Sequence, residues 1–252
     1  MLNGYMQGKT TVNIAGKTCS RPPGLKADLL LLLQIVMVVW AAVLVQPAQA
    51  SQPIREQEIA QCRPGEIATW GDGRDRPAIS PSLVFVYDPA AAPAWFDEAA
   101  VLSALKKAAA AWSQCGVPGT VLSLNDPAVT NEAVPVRWSD KASLGNFGLA
   151  NLTQPALTLG PAAFQLLNTR NPTYDARQTL QMVISHEMGH LYGLVAHSRR
   201  CIDVTSSYDN GKGELCFARD RSLLKTVPEY RSILPTACEI QRCRMLNGAA
   251  LR

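Results

Sequence analysis

The segment His186-Glu187-Met188-Gly189-His190-Leu191-Tyr192-Gly193-Leu194-Val195-Ala196-His197 contains all three histidines of a 252-residue chain. Positions four apart on a helix project from one face, so His186 and His190 can offer two imidazole nitrogens to one metal ion at ~2.0 to 2.1 Å. Glu187 cannot share that coordination position, but it can lie beside a water on the metal and take its proton. Chance would produce H-E-x-x-H in a chain of this length on the order of 1 time in 100. The surroundings add to the signal: an apolar run leads in, Gly189 leaves room for close packing, and Gly193 permits a sharp turn. Two histidines and a water leave a zinc ion one protein ligand short of the usual catalytic three. His197, four residues beyond Gly193, can be folded back by a short loop. The expected centre is therefore one Zn2+ held by His186, His190 and His197, with Glu187 as general base. Glu214 is the nearest downstream carboxylate that could be third ligand instead.

Working outward, Leu180, Val183, Ile184 and Leu191 recur at helical spacing between about Asp175 and Tyr192, and Gly193 stands where a helix end places glycine. SLVFVYD at 82–88 is a β-branched and aromatic run closed by Asp88-Pro89, which predicts a buried strand. Residues 95–114 are alanine-rich, with Val101, Leu102, Leu105, Ala109 and Trp112 in helical register. Short strands are expected at 120–124, 134–138 and 156–160, and a glycine-containing edge strand at 146–152. Beyond the histidines the chain becomes irregular, with a turn at 208–211 and a short helix near 236–246. This pattern is α+β, with four to five strands and two long helices. The organisation expected is 1–50 as a leader, 51–81 as an N-terminal extension, 82–197 as the subdomain carrying the histidines and 198–252 as a cysteine-containing C-terminal subdomain.

Composition limits the function classes. A chain 47% hydrophobic and 17% charged can bury a core. The formal charge is +4, but residues 1–50 hold Lys9, Lys17, Arg21 and Lys26 against Asp28 alone, and the remaining 20 basic and 19 acidic residues leave +1. That balance excludes a basic nucleic-acid-binding stripe. Leu29 to Val45 is an apolar run after basic residues, followed by the small-x-small stretch Ala48-Gln49-Ala50, which predicts export with cleavage after Ala50. Membrane attachment would follow only if the segment stayed uncleaved. Cleavage would remove Cys19 and leave Cys62, Cys115, Cys201, Cys216, Cys238 and Cys243, an even set suited to disulfides. Cys238 and Cys243, five apart on one helix, cannot pair with each other. Asp72, Asp75, Asp203 and Asp209 lie near turn signals without forming a recognisable calcium loop.

The pattern H-E-x-x-H-x-x-G-x-x-H belongs to the metzincin clan of zinc peptidases, and the chain resembles its matrixin-like branch: His186, Glu187, His190 and Gly193 match in place. The clan position of the third histidine is Ala196, so His197 arrives one residue late. The clan also has a methionine-containing turn beneath the metal, and the segment resembling it, Asp203 to Asp209, carries Ser206 where methionine is expected. The resemblance implies a twisted mixed sheet and a zincin-like fold. It implies a secreted, monomeric, zinc-dependent endopeptidase acting on proteins or peptides, or else an exported protein that binds zinc or peptide with little turnover. It implies that Asn146, Phe147, Gly148, Leu149 and Ala150 run beside the substrate, and that Tyr208 could contact the metal or a tetrahedral intermediate. Cys115-Gly116-Val117-Pro118-Gly119 looks like a latency switch but lies inside the expected catalytic unit, and a Cys62–Cys115 disulfide is the simpler expectation.

Overall fold

The structure is a computed structural model that describes residues 53–248. The expected leader and Cys19 lie outside the described residues. In chain order the helices are α1 (Ile54–Ala60), α2 (Glu98–Ser113), α3 (Asp140–Ser143), α4 (Pro161–Arg170), α5 (Ala176–Leu191) and α6 (Ala237–Leu246), with a 3-10 turn at Leu223–Lys225. The strands are β1 (Leu83–Tyr87), β2 (Gly119–Ser123), β3 (Val134–Trp138), β4 (Gly148–Asn151) and β5 (Ala156–Leu159). All four apolar runs and the weaker 146–152 segment thus form strands.

The strands make one mixed sheet of order β2-β1-β3-β5-β4. Parallel neighbours need a crossover, and α2 supplies the one from β1 to β2. The exception is β4, which follows α3 and pairs antiparallel with β5 at the sheet edge. Along β3 burial alternates, with Val134, Val136 and Trp138 buried and Pro135 and Arg137 exposed, so helices cover one face of the sheet. Into that face pack Phe85, Trp112, Ile184, Met188 and Tyr192. The Trp112 indole N–H donates to the Ser185 carbonyl at 2.8 Å, joining α2 to the middle of α5.

Both long helices begin on a carboxylate that caps orphan N–H groups. Asp97 accepts from Ala100 N, and Asp175 accepts from Arg177 N and Gln178 N. Helix α5 stops at Gly193, whose φ is +106°; a Cβ there would lie 2.0 Å from the Arg76 carbonyl oxygen. Helix α6 starts with a capping box of Thr236 and Glu239. The reading of the sequence missed α4, which begins with Pro161 and buries only Phe164, so it leaves almost no periodic trace. It also treated 51–81 as an extension, whereas this segment contains α1 and bonds to the chain after α5: Trp70 N donates to the His197 carbonyl and Arg199 N to that of Ala68.

Three disulfides join Cys62 to Cys238, Cys115 to Cys243 and Cys201 to Cys216. The expected Cys62–Cys115 bridge is therefore wrong. Both residues are claimed by α6, whose two cysteines lie five positions apart and so point in different directions. One reaches the end of α2 and the other the chain just after α1. Such bonds are compatible with an extracellular or secreted protein.

Replacing Gly193 by alanine forces a Cβ into the Arg76 carbonyl at a backbone conformation that L-residues rarely adopt. A loss of about 3 kcal/mol or more is expected, measured as a lower midpoint in urea unfolding.

Candidate metal centre

His186 and His190 lie one turn apart on α5, with ring centroids 4.9 Å apart. The turn at Gly193 brings His197 back, its ring 5.2 Å from His186 and 5.1 Å from His190. One ring nitrogen of each lies within 4.8 Å of the others. In all three rings Nδ1 faces an acceptor: the Val204 carbonyl for His186 at 2.8 Å, the Leu194 carbonyl for His190 at 2.8 Å, and the Asp72 carboxylate for His197 at 2.6 Å. Acceptors of this kind assign a proton to each Nδ1, so Nε2 is the nitrogen that each ring has to offer a metal ion. Burial pushes His186 well below the usual imidazole range and His190 down to about 4, with the neighbouring histidines adding to the effect, so both rings stay neutral. The donor set fits a divalent ion of the zinc type: tetrahedral bonds of ~2.1 Å place ligand nitrogens about 3.4 Å apart, which modest ring shifts reach. These residues could hold a metal ion.

The three supporting acceptors come from different parts of the chain. Asp72 grips His197 twice, accepting from its backbone N at 2.9 Å as well as from its ring. Burial pushes Asp72 up, but the bonds from His197 outweigh it and hold the carboxyl below the usual aspartate range. Asp75 accepts from Ala196 N and from the Arg242 guanidinium, fixing the loop between Gly193 and His197. The Val204 carbonyl is fixed by Glu239, which accepts from the backbone N of Val204 and of Thr205 and from the Thr205 hydroxyl. Ser206 is buried in the same turn, and its hydroxyl has no hydrogen-bond partner among the described residues. Glu214, the alternative third ligand, is exposed and bonds to Asn210 beside Arg199, outside the histidine group.

A cleft of about 550 Å³ opens over the histidines and is lined along one stretch by Asn146, Phe147, Gly148, Leu149, Ala150 and Leu152. The edge strand β4 thus borders the three imidazoles. A Cβ on Gly148 would fall 2.6 Å from Val183 Cγ1 and 2.8 Å from Glu187 Cγ, so the strand sits directly on α5 at the place where the absence of a side chain permits it. Glu187 also lines the cleft, and its carboxylate accepts from Ala150 N at 2.8 Å. Burial pushes the Glu187 carboxyl up to about 7, although the bond from Ala150 opposes this. Tyr208 is not among the cleft-lining residues: its hydroxyl donates to Glu229 and accepts from Tyr230 N, and its ring lies against Arg231 at the edge of the cleft. Arg231, which the reading of the sequence did not single out, does line the cleft.

No family model and no curated protein sequence matches the chain. Among solved structures it is similar to a chain of the "GM1 bound form of the ECX AB5 holotoxin" at 12% identity and a TM-score of 0.42, covering 69% of this chain and 86% of that one. At that level the similarity carries no argument about fold or function.

Two outcomes follow from the geometry. Asp72→Ala frees the His197 ring to rotate and should weaken the binding of a divalent metal ion at the three histidines about 10- to 100-fold, read by competition with a chromogenic chelator. Near pH 7 a carboxyl at about 7 is half protonated, and a cation beside it favours the ionised form. Metal uptake at pH 7 should therefore release roughly half a proton from this group. Calorimetry in buffers of different ionisation enthalpy measures the release, and Glu187→Gln should remove that part of it.

Proposed function

We propose that the chain is a zinc-dependent peptidase of the metzincin type. The observation that carries this reading is the convergence of three imidazoles, each with Nε2 left open, beside the buried carboxyl of Glu187 at the edge of a sheet. The sheet order with its single antiparallel edge strand, and the buried turn whose Val204 carbonyl receives His186, support the zincin-like assignment. His186, His190 and His197 would hold the zinc. When bound, zinc supplies Lewis-acid polarisation of a carbonyl and lowers the pKa of a water.

The chain's own residues account for the rest. Outward-facing backbone groups of β4 other than Ala150 N, which is bonded to Glu187, pair with an extended peptide, because an edge strand presents N–H and C=O groups that no neighbouring strand takes. Ala150 N aims the Glu187 carboxylate into the cleft, where burial gives it a proton affinity suited to work near neutral pH. Glu187 accepts a proton from the attacking water and delivers it to the departing amine. Phe147, Leu149, Leu152, Met182 and Val183 line the cleft and exclude water from the reacting atoms. The three disulfides support action outside the cytoplasm, in keeping with the leader expected at 1–50. The reading includes a monomer acting on protein or peptide substrates.

Glu187→Gln should retain zinc and lose at least about 100-fold in turnover of a quenched fluorescent peptide. His197→Ala should release most of the zinc, and chelation of the wild type should abolish turnover that added zinc restores. Full zinc occupancy and activity in His197→Ala would remove this assignment.

A further inference from the structure

Building on the peptidase reading, we propose that Arg231 makes the cleft selective for a carboxylate on the bound peptide. Arg231 lines the same cleft as His186 and Glu187, together with Met182 and Val183 of the turn of α5 preceding the motif. Its guanidinium is already fixed. Nε and Nη2 donate to the two oxygens of Glu229 at 3.0 and 2.8 Å, and the Tyr208 ring lies beneath it, 5.0 Å from its central carbon. Glu229 is itself held by the Tyr208 hydroxyl and by Arg231 N. Burial pushes Glu229 up, but Arg231 outweighs it and keeps the carboxyl below its usual range, so the pair stays ionised.

This fork uses one edge of a planar group that has two. Among the described residues Nη1 has no carboxylate or carbonyl partner, and the Arg231 side chain remains 22% exposed. The edge formed by Nη1 and the second N–H of Nη2 is therefore available for another bidentate contact, the geometry in which guanidinium groups bind carboxylates. Because Glu229 and Tyr208 have ordered the side chain beforehand, a ligand need not immobilise it. The methylenes of a glutamate or aspartate side chain suit the neighbouring Met182 and Val183, whereas a lysine would meet a like charge. Glu187 is the only acidic residue lining the cleft.

The test compares end-blocked peptides that differ only in Glu against Gln at one position, scanned on both sides of the cleavage site. Their binding to zinc-loaded Glu187→Gln protein is read by fluorescence anisotropy, and kcat/KM is measured on the wild type. The expected result is a preference for Glu of about tenfold or more at one position. The preference should fall toward parity when Arg231→Gln is added and survive in part with Arg231→Lys. A third peptide, whose only acid is a free C-terminus, separates the sources: if it alone gains, with the same dependence on Arg231, the carboxylate recognised is a chain end. Equal binding of the Glu and Gln peptides with no gain by the free-C-terminus peptide, absence of binding by all of them, or a preference unchanged by Arg231→Gln overturns the proposal. The wild-type comparison stands even if an Arg231 variant fails to fold. Preference without turnover would keep Arg231 in this role and remove the peptidase reading, and turnover without preference would do the reverse.

Discussion

The site depends on one repeated interaction: the Nδ1 hydrogen of an imidazole donated to a fixed acceptor. A histidine ring free to turn about χ2 offers either nitrogen in many directions, and three such rings would not converge. Here the Leu194 carbonyl, the Val204 carbonyl and the Asp72 carboxylate each settle one ring. Since these acceptors belong to the loop after α5, to a buried turn and to the segment before β1, the face formed by the three histidines records the packing of three separate pieces of chain.

Beneath the rings a polar network occupies the turn in which the proposed metzincin reading would expect a methionine. Asp203 accepts from Ser198, Arg200 and Thr236, and Glu239 holds the two residues that follow Asp203. Both carboxyls are pushed up by burial, Glu239 to about 7, and each sits in the field of the other. A methionine floor would adapt to its neighbours through flexible dispersion contacts. This floor works through directed hydrogen bonds, which specify one backbone course for Val204 and tolerate little displacement. Ser206, small and buried, fits the space that such a network leaves.

Much of this was legible in the sequence wherever the signal is local. The strand at 134–138 and the helix near 236–246 announce themselves through alternation, β-branching and stop residues, and their observed limits lie within a residue of the expected ones. His186, Glu187 and His190 were legible because a helix converts sequence spacing directly into position. His197 was legible by scarcity, since no other histidine exists in the chain. Asp72, Glu239 and Arg231 were not. Asp72 lies 125 residues from the ring it holds, and nothing in its neighbourhood distinguishes it from a solvated turn aspartate. Disulfide pairing failed for the same reason: six cysteines allow 15 connectivities, and only the approach of α6 to both α1 and α2 selects among them. Helix α4 escaped because a helix that buries one side chain has no face to read.

The placement of α6 also orders events in time. Glu239 fixes the turn under His186, Arg242 holds Asp75 beside the loop that carries His197, and Cys238 and Cys243 tie the helix to residues 62 and 115. All four residues come after the sheet, α5 and the three histidines in chain order. A nascent chain still lacking α6 can form the sheet and α5 but has no fixed acceptor for His186 and lacks the covalent ring that Cys115 and Cys243 close. The histidine cluster therefore matures only once α6 has been added, so a shorter nascent chain carries the motif without the geometry. Once the ring is closed, a single backbone cut between residues 116 and 200 leaves both pieces joined through α6, and the damage becomes visible only after reduction.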